Sequence, residues 1–193
     1  MKNIFIFLLV IFFSCAEKKK SGLPQIIINS TAGDIEVELY PAQASKTVAA
    51  FLQYIDAGYY KNACFYRVVL QEGFTPALNT GLIQGGVWEA NNKQQLSVQG
   101  IPHETTNTSG LSHTDGTISL ARTAPGTAST EFFICIGDQT QYDFGNNGVG
   151  DKQGYAAFGR VIKGMDVVRA IQQQRSNGES FTEKILIKNI ERE

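Results

Sequence analysis

Across 193 residues the chain holds two histidines, His103 and His113, and three cysteines, Cys15, Cys64 and Cys135. The histidines have no Cys, Asp or Glu clustered around them, so no zinc or transition-metal ligand set is readable, and both are expected in loops. No GxSxG elbow, no Cys–His pairing of known local signature, and neither GxxxxGK[ST] nor GxGxxG occurs, which leaves covalent and nucleotide chemistry without support. DFGNNGVGD, from Asp143 to Asp151, superficially resembles a calcium loop. The EF-hand spacing fails, however, and the twelfth position from Asp143 is Gly154 where that loop needs Glu, so a surface turn is expected. Cys64 and Cys135 sit in the apolar runs NACFYRVV and EFFICIG, where buried free thiols are the expected state. A disulfide between them stays open, because sequence does not place two Cα atoms within bridging distance.

The elements that would carry any site are mostly strands. QIIIN and DIEVELY flank Ser30–Gly33, and in the second run Ile35, Val37 and Leu39 alternate with Glu36 and Glu38, the pattern of a hairpin with one wet face. CFYRVVL, GTISLA, EFFICI and GYAAFGRVI are further strand candidates between segments dense in Gly, Asn, Thr, Asp and Pro. EKILIKNI, from Glu183 to Ile190, reads as a last strand. Val48, Phe51, Leu52 and Ile55 fall at i, i+3, i+4 and i+7 between Ser45 and Ala57, with Gly58 placed to end an amphipathic helix. Met165, Val168 and Ile171 suit a shorter second helix after Gly164. About eight strands with a helix near each end point to a mainly β, closed or nearly closed antiparallel barrel, with a sandwich the alternative.

Composition agrees with one exported domain. Hydrophobic residues make up 42% and charged residues 18%, which suits a packed core, and a formal charge of −1 gives no electrostatic footprint for nucleic acid. Lys2 precedes the apolar run Ile4–Phe13, then Ser14, Cys15, Ala16, Glu17 and Lys18–Lys20. At 1.5 Å rise that run covers about half of a roughly 30 Å hydrocarbon core, so it reads as a signal peptide. Ser14-Cys15 at its end resembles a bacterial lipobox, in which the Cys15 thiol is acylated and becomes the mature N-terminus. An ordinary cleaved signal is the alternative. The expected organisation is a signal peptide over residues 1–14, a lipid-anchored tether over 15–24, and one domain over 25–193.

Four blocks carry a resemblance: CFYRV at 64–68, GLIQGG at 81–86, GTISLARTAPGTASTEFFI at 116–134 and GYAAFGRVIKGMDVV at 154–168. In this order they resemble the cyclophilin-type peptidyl-prolyl cis/trans isomerases, with wording nearest the bacterial exported branch. The resemblance implies a closed eight-stranded antiparallel β-barrel capped by two α-helices. It implies isomerisation of X-Pro bonds in unfolded or extended polypeptides of the cell envelope, with no cofactor, no metal, no nucleic acid and a monomeric chain. Arg67, in Phe65-Tyr66-Arg67, takes the place of the arginine that contacts the prolyl amide. Leu82, Phe133 and Tyr142 would form the apolar floor under the proline ring, Tyr66, Gln84, Ala121, Arg122 and Glu131 would surround the substrate backbone, and Tyr155 would close the rim.

An X-Pro bond turns over a resonance barrier of about 18–20 kcal/mol, and twisting it localises a lone pair on nitrogen. A permanently charged forked donor can hydrogen-bond that nitrogen, or steady the carbonyl, without proton transfer. The chain departs from the family pattern in four places. Tyr66 stands where a histidine is usual, and Glu131 replaces a glutamine, placing an acceptor-only carboxylate where it would hold Arg67 or compete for it. LQEGFTPALNTG lengthens the connection before Leu82, with Phe74 the candidate for the aromatic of that turn. No tryptophan occupies the segment before Tyr155 and Trp88 lies elsewhere, which implies weak cyclosporin binding. A catalytically weak proline-peptide binding module or chaperone is the rival reading.

Overall fold

The computed structural model describes residues 22–90 and 98–193. The expected signal peptide, Cys15 and the tether up to residue 21 lie outside the described residues.

Alternating apolar residues build the first hairpin. β1 (Gln25–Ser30) and β2 (Asp34–Leu39) pair antiparallel with Ile26 opposite Val37 and Ile28 opposite Ile35, so one face of the ribbon is fully buried. β3 (Ala63–Gln71), β4 (Thr80–Gly86), β5 (Thr117–Leu120), β6 (Phe132–Ile136), β7 (Ala156–Lys163), the two-residue β8 (Ser176–Asn177) and β9 (Ser180–Arg192) follow. The neighbour order is β1-β2-β7-β5-β6-β4-β3-β9, and β1 also pairs with β9. The sheet therefore closes on itself as an eight-stranded antiparallel barrel without open edges, and β8 is a short arm turned back onto β9.

Two helices add their apolar stripes to the interior. α1 (Ser45–Asp56) buries Val48, Phe51, Tyr54 and Ile55, and Leu52 of the expected stripe is half-buried. Ala44 offers no side-chain cap, and the carboxylate of Glu104 takes that role from another loop, accepting from the Lys46 and Thr47 main-chain N–H groups at 3.1 and 2.8 Å. α2 (Thr106–Ser109) is a single unforeseen turn capped by Thr105. α3 (Met165–Gln172) inserts Val168 and Ile171 into the same core. No helix among the described residues is long and apolar enough to cross a membrane.

Inside the barrel Phe51, Tyr60, Phe65, Phe132 and Phe158 pack with ring centroids 4.9–5.9 Å apart. The Tyr60 hydroxyl donates to the Thr130 carbonyl at 3.0 Å, so its burial leaves no polar atom stranded. A second, smaller cluster of Leu82, Phe133 and Cys135 lies on the outer face of the same strands.

Candidate active site

A β-bulge creates the site. β3 pairs Phe65 with Gly85 but Arg67 with Gln84, which makes Tyr66 the extra residue, and the register against β9 shifts at the same place. Strict alternation would send Tyr66 and Arg67 to opposite faces, and a bulge re-aims a side chain. Phe65 stays in the interior at 0% exposure while Tyr66 and Arg67 both turn outward. Register then lines up a row across four strands: Arg67 opposite Gln84, Gln84 opposite Phe133, and Phe133 opposite Ser119.

This row is part of a groove of about 590 Å³ on the barrel wall. The structure brings all ten residues singled out from the sequence to its lining: Tyr66, Arg67, Leu82, Gln84, Ala121, Arg122, Glu131, Phe133, Tyr142 and Tyr155. Leu82, Phe133 and Cys135 form the floor, with Ala121, Tyr142 and Tyr155 packed against it. Phe133 meets Tyr155 and Tyr142 edge-on at 5.1 and 6.1 Å.

The polar side of the groove is one connected network. Arg67 Nη1 donates to Gln84 Oε1 at 2.7 Å, and Gln84 Nε2 donates to the Tyr66 hydroxyl at 2.7 Å. Tyr66 in turn donates to Glu131 Oε2 at 2.7 Å. On the other edge of the guanidinium, Nε donates to Glu179 Oε2 at 2.8 Å, and Nη2 lies 2.7 Å from the same oxygen. A guanidinium carries more N–H groups than these contacts use, so Arg67 keeps donors for a ligand. Burial, with the Glu131 charge beside it, pushes the Tyr66 hydroxyl well above its usual range, so Tyr66 stays a protonated link.

Glu131 neither holds nor competes for Arg67. Its Oε1 accepts from the main-chain N–H groups of Val87 and Trp88 at 2.8 and 3.0 Å and from Thr130 Oγ1 at 3.1 Å, and Oε2 takes Tyr66. Burial raises its carboxyl above the ordinary value despite the opposing pull of those donors. Gly86, at φ +148°, is required here because a Cβ would sit 2.5 Å from the Glu131 carboxyl.

Arg122 is the other arginine of the groove, in a different state. Its side chain is 1% exposed. Nη1 and Nη2 fork onto Asp151 at 2.7 and 2.9 Å, and Nε and Nη2 donate to the Gly154 carbonyl at 3.0 and 2.5 Å. The guanidinium also lies 5.4 Å from the Tyr155 ring centre, a cation–π distance. Arg122 thus straps the 151–155 segment and Tyr155 to the floor, and its hydrogen bonds hold the Asp151 carboxyl down at about 2.

Beneath the floor, His113 is fully buried, and its ring stacks on Phe133 at 5.8 Å. Nδ1 is 2.6 Å from Asp143 Oδ1 and Nε2 is 3.0 Å from Ser119 Oγ. Burial would raise the Asp143 carboxyl, but hydrogen bonds from His113, Ser112 and the His113 main chain outweigh it and hold the group below its usual range. His113 does belong to a loop, as expected, but as a buried prop of the groove. Asp143 and Asp151, the ends of the calcium-like segment, serve different partners, and among the described residues no group of three or more His, Cys, Asp or Glu could hold a metal ion. Cys64 and Cys135 are free and buried, and burial pushes the Cys64 thiol up to about 11, which suits a packed thiol and not a nucleophile.

Two aromatics differ from expectation. Phe74 stands fully exposed on the β3–β4 connection and is not part of the groove. Trp88, placed elsewhere by sequence, lines the groove at 77% exposure, because Glu131 draws its main chain to the rim.

Residues 25–192 match the family model described as cyclophilin type peptidyl-prolyl cis-trans isomerase/CLD. The chain is 36% identical over 148 residues to peptidyl-prolyl cis-trans isomerase B of Escherichia coli (strain K12), covering 76% of this chain and 83% of that one. It is 34% identical over 149 residues to peptidyl-prolyl cis-trans isomerase A of Dickeya dadantii (strain 3937), covering 77% and 70%. A crystal structure of a Cryptosporidium parvum cyclophilin type peptidyl-prolyl cis-trans isomerase shares the fold at TM-score 0.68 and 23% identity, over 89% of this chain and 98% of that one. The same parasite protein, in the presence of the dipeptide ala-pro, matches at TM-score 0.65 and 24% identity, over 86% and 96%.

Proposed function

This chain belongs to the cyclophilin-type peptidyl-prolyl cis-trans isomerase family and is a peptidyl-prolyl cis-trans isomerase, and we propose that it acts on X-Pro bonds of extended polypeptides through Arg67. The observation that carries this reading is the cross-strand row in which Arg67, with donors to spare, stands beside an apolar floor of Leu82 and Phe133. The floor takes the proline ring, and the network through Gln84 sets the height of the guanidinium above it. The structure of the parasite relative in the presence of the dipeptide ala-pro supports a proline-containing peptide as the ligand.

As the bound X-Pro bond twists, conjugation is lost and the nitrogen lone pair becomes an acceptor. Arg67 meets it with a charged N–H that needs no proton transfer. One charge-assisted hydrogen bond expressed in the transition state is worth about 1.5–3 kcal/mol, or about 10- to 150-fold in rate. The remainder comes from the floor, which holds the ring while the preceding carbonyl rotates.

Two-dimensional exchange NMR on a short X-Pro peptide tests the reading. Accelerated cis/trans exchange, with shifts in the Phe133 and Trp88 resonances on titration, is the expected result. Binding at those resonances without faster exchange would replace it with the binding-module reading.

The cellular setting rests on sequence alone. We propose that the chain is exported and lipid-anchored through Cys15, so that its clients are polypeptides of the cell envelope, where uncatalysed X-Pro isomerisation slows folding. Support comes from Lys2, the apolar run Ile4–Phe13 and Ser14-Cys15. Intact-mass analysis of membrane-extracted protein should find a mature start at Cys15 carrying acyl mass, and a start elsewhere without that mass would overturn the anchor.

A further inference from the structure

The arm formed by β8 and its turn into β9 adds no strand to the barrel wall, yet it delivers a carboxylate to Arg67. Its turn runs through Gly178, at φ +58°, to Glu179. The Glu179 carbonyl accepts from the Val68 main-chain N–H at 2.8 Å, and the next residue, Ser180, pairs with Arg67 across the bulge. Both the main chain and the side chain of Glu179 are therefore fixed to the residues around the bulge. Its Oε2 bridges Arg67 Nε and Nη2 at 2.8 and 2.7 Å, while Gln84 takes Nη1 from the other side.

With Nε and the adjoining edge of Nη2 on Glu179, and Nη1 on Gln84, the guanidinium plane is set from two sides. Two N–H groups are left over, one on Nη1 and one on Nη2. A long side chain that is 40% exposed would otherwise sample many rotamers, and each productive approach to the prolyl amide would carry that ordering cost. We infer that Glu179 is a positioning residue for this isomerase: it holds Arg67 edge-on so that the tip of the guanidinium addresses the twisting amide. The inference rests on the reading of Arg67 as the catalytic residue.

The test compares Glu179→Ala, Glu179→Gln and Arg67→Ala with the parent protein by exchange NMR at several peptide concentrations. Glu179 is largely exposed, so neither substitution at that position should disturb folding. Because an exposed ion pair is worth little, Glu179→Ala should lower kcat by only about three- to fivefold with KM nearly unchanged. Glu179→Gln keeps an acceptor oxygen and should recover most of that loss. The Arg67 Nε–H resonance, sharp in the parent, should broaden through water exchange in Glu179→Ala and sharpen again in Glu179→Gln.

An unchanged or raised kcat in Glu179→Ala overturns the inference, since the carboxylate would then be idle or would be quenching the charge of Arg67. A loss carried wholly in KM, or one that Glu179→Gln fails to restore, also overturns it. If Arg67→Ala itself keeps the parent rate, the catalytic assignment fails first, whatever Glu179 does. A slow Arg67→Ala beside an unaffected Glu179→Ala sinks this inference alone.

Discussion

Phe132 and Phe133 are neighbours on β6, equally lost to solvent at 0% and 2% exposure, and they do different work. Phe132 points into the barrel and meets Phe51, Tyr60 and Phe65, where every contact serves the fold. Phe133 points outward, is propped from below by His113 and flanked by Tyr142 and Tyr155, and its free side forms the groove floor. Burial alone does not separate a core from a binding floor. What separates them is whether the side chain is closed over by its own chain or left for a ligand to close.

The largest expected effect sharpens that contrast. Phe132→Ala leaves a cavity enclosed on all sides and should cost about 3–5 kcal/mol in denaturant unfolding. Phe133→Ala opens onto the groove and should cost less, while raising KM for an X-Pro peptide several-fold. Equal stability losses with an unchanged KM would erase the distinction between the two faces.

Arg122 tests the outer region next. Arg122→Ala removes the fork onto the exposed Asp151 and the bonds to the buried Gly154 carbonyl, and the expected loss is about 1–3 kcal/mol. Its effect on turnover should follow from loosening of Tyr155 and appear in KM more than in kcat. A pure kcat loss at unchanged stability would mean that Arg122 acts on the reacting amide.

A smaller effect comes from pH, with opposite signs in two places. Glu131 has a raised carboxyl, so between its unfolded and folded values the folded chain binds more protons. Its contribution is full below the unfolded value and is lost as pH rises through the folded one. Asp143 and Asp151 are lowered, so their contribution is present above the unfolded carboxylate value and is lost on acidification. Glu131→Gln should abolish the decline on the rising side and leave the acid-side loss intact, as read from unfolding midpoints between about pH 3 and pH 8. A parallel curve for the variant would contradict the burial of that charge.

Much of this was legible in the sequence, and the limits are physical. Alternation in DIEVELY and the stripe through Val48, Phe51 and Ile55 found β2 and α1 because each buries one face. Closure of the barrel followed from the number of strands and the ordered blocks, whereas β4 carries three glycines in TGLIQGG and appears as a motif before it appears as a strand. The residues that line the groove were singled out through the four blocks, since EFFICI itself does not say which phenylalanine faces out. The bulge at Tyr66 depends on pairing with β9 more than a hundred residues away, so local pattern could not show that Tyr66 and Arg67 share a face. Glu179 and Trp88 were missed for the same reason: each reaches the groove through a hydrogen bond to a residue distant in sequence.

The central claim is that one outward-turned arginine, held in a network over an apolar floor, does the chemistry while its neighbours hold it in place. The most direct measurement is the kcat of Arg67→Ala against the parent by exchange NMR at saturating X-Pro peptide, with unfolding midpoints taken on the same samples. The expected result is a loss of about 10- to 150-fold in kcat with stability changed by less than about 0.5 kcal/mol. A folded Arg67→Ala variant that turns over peptide at the parent rate would contradict the account.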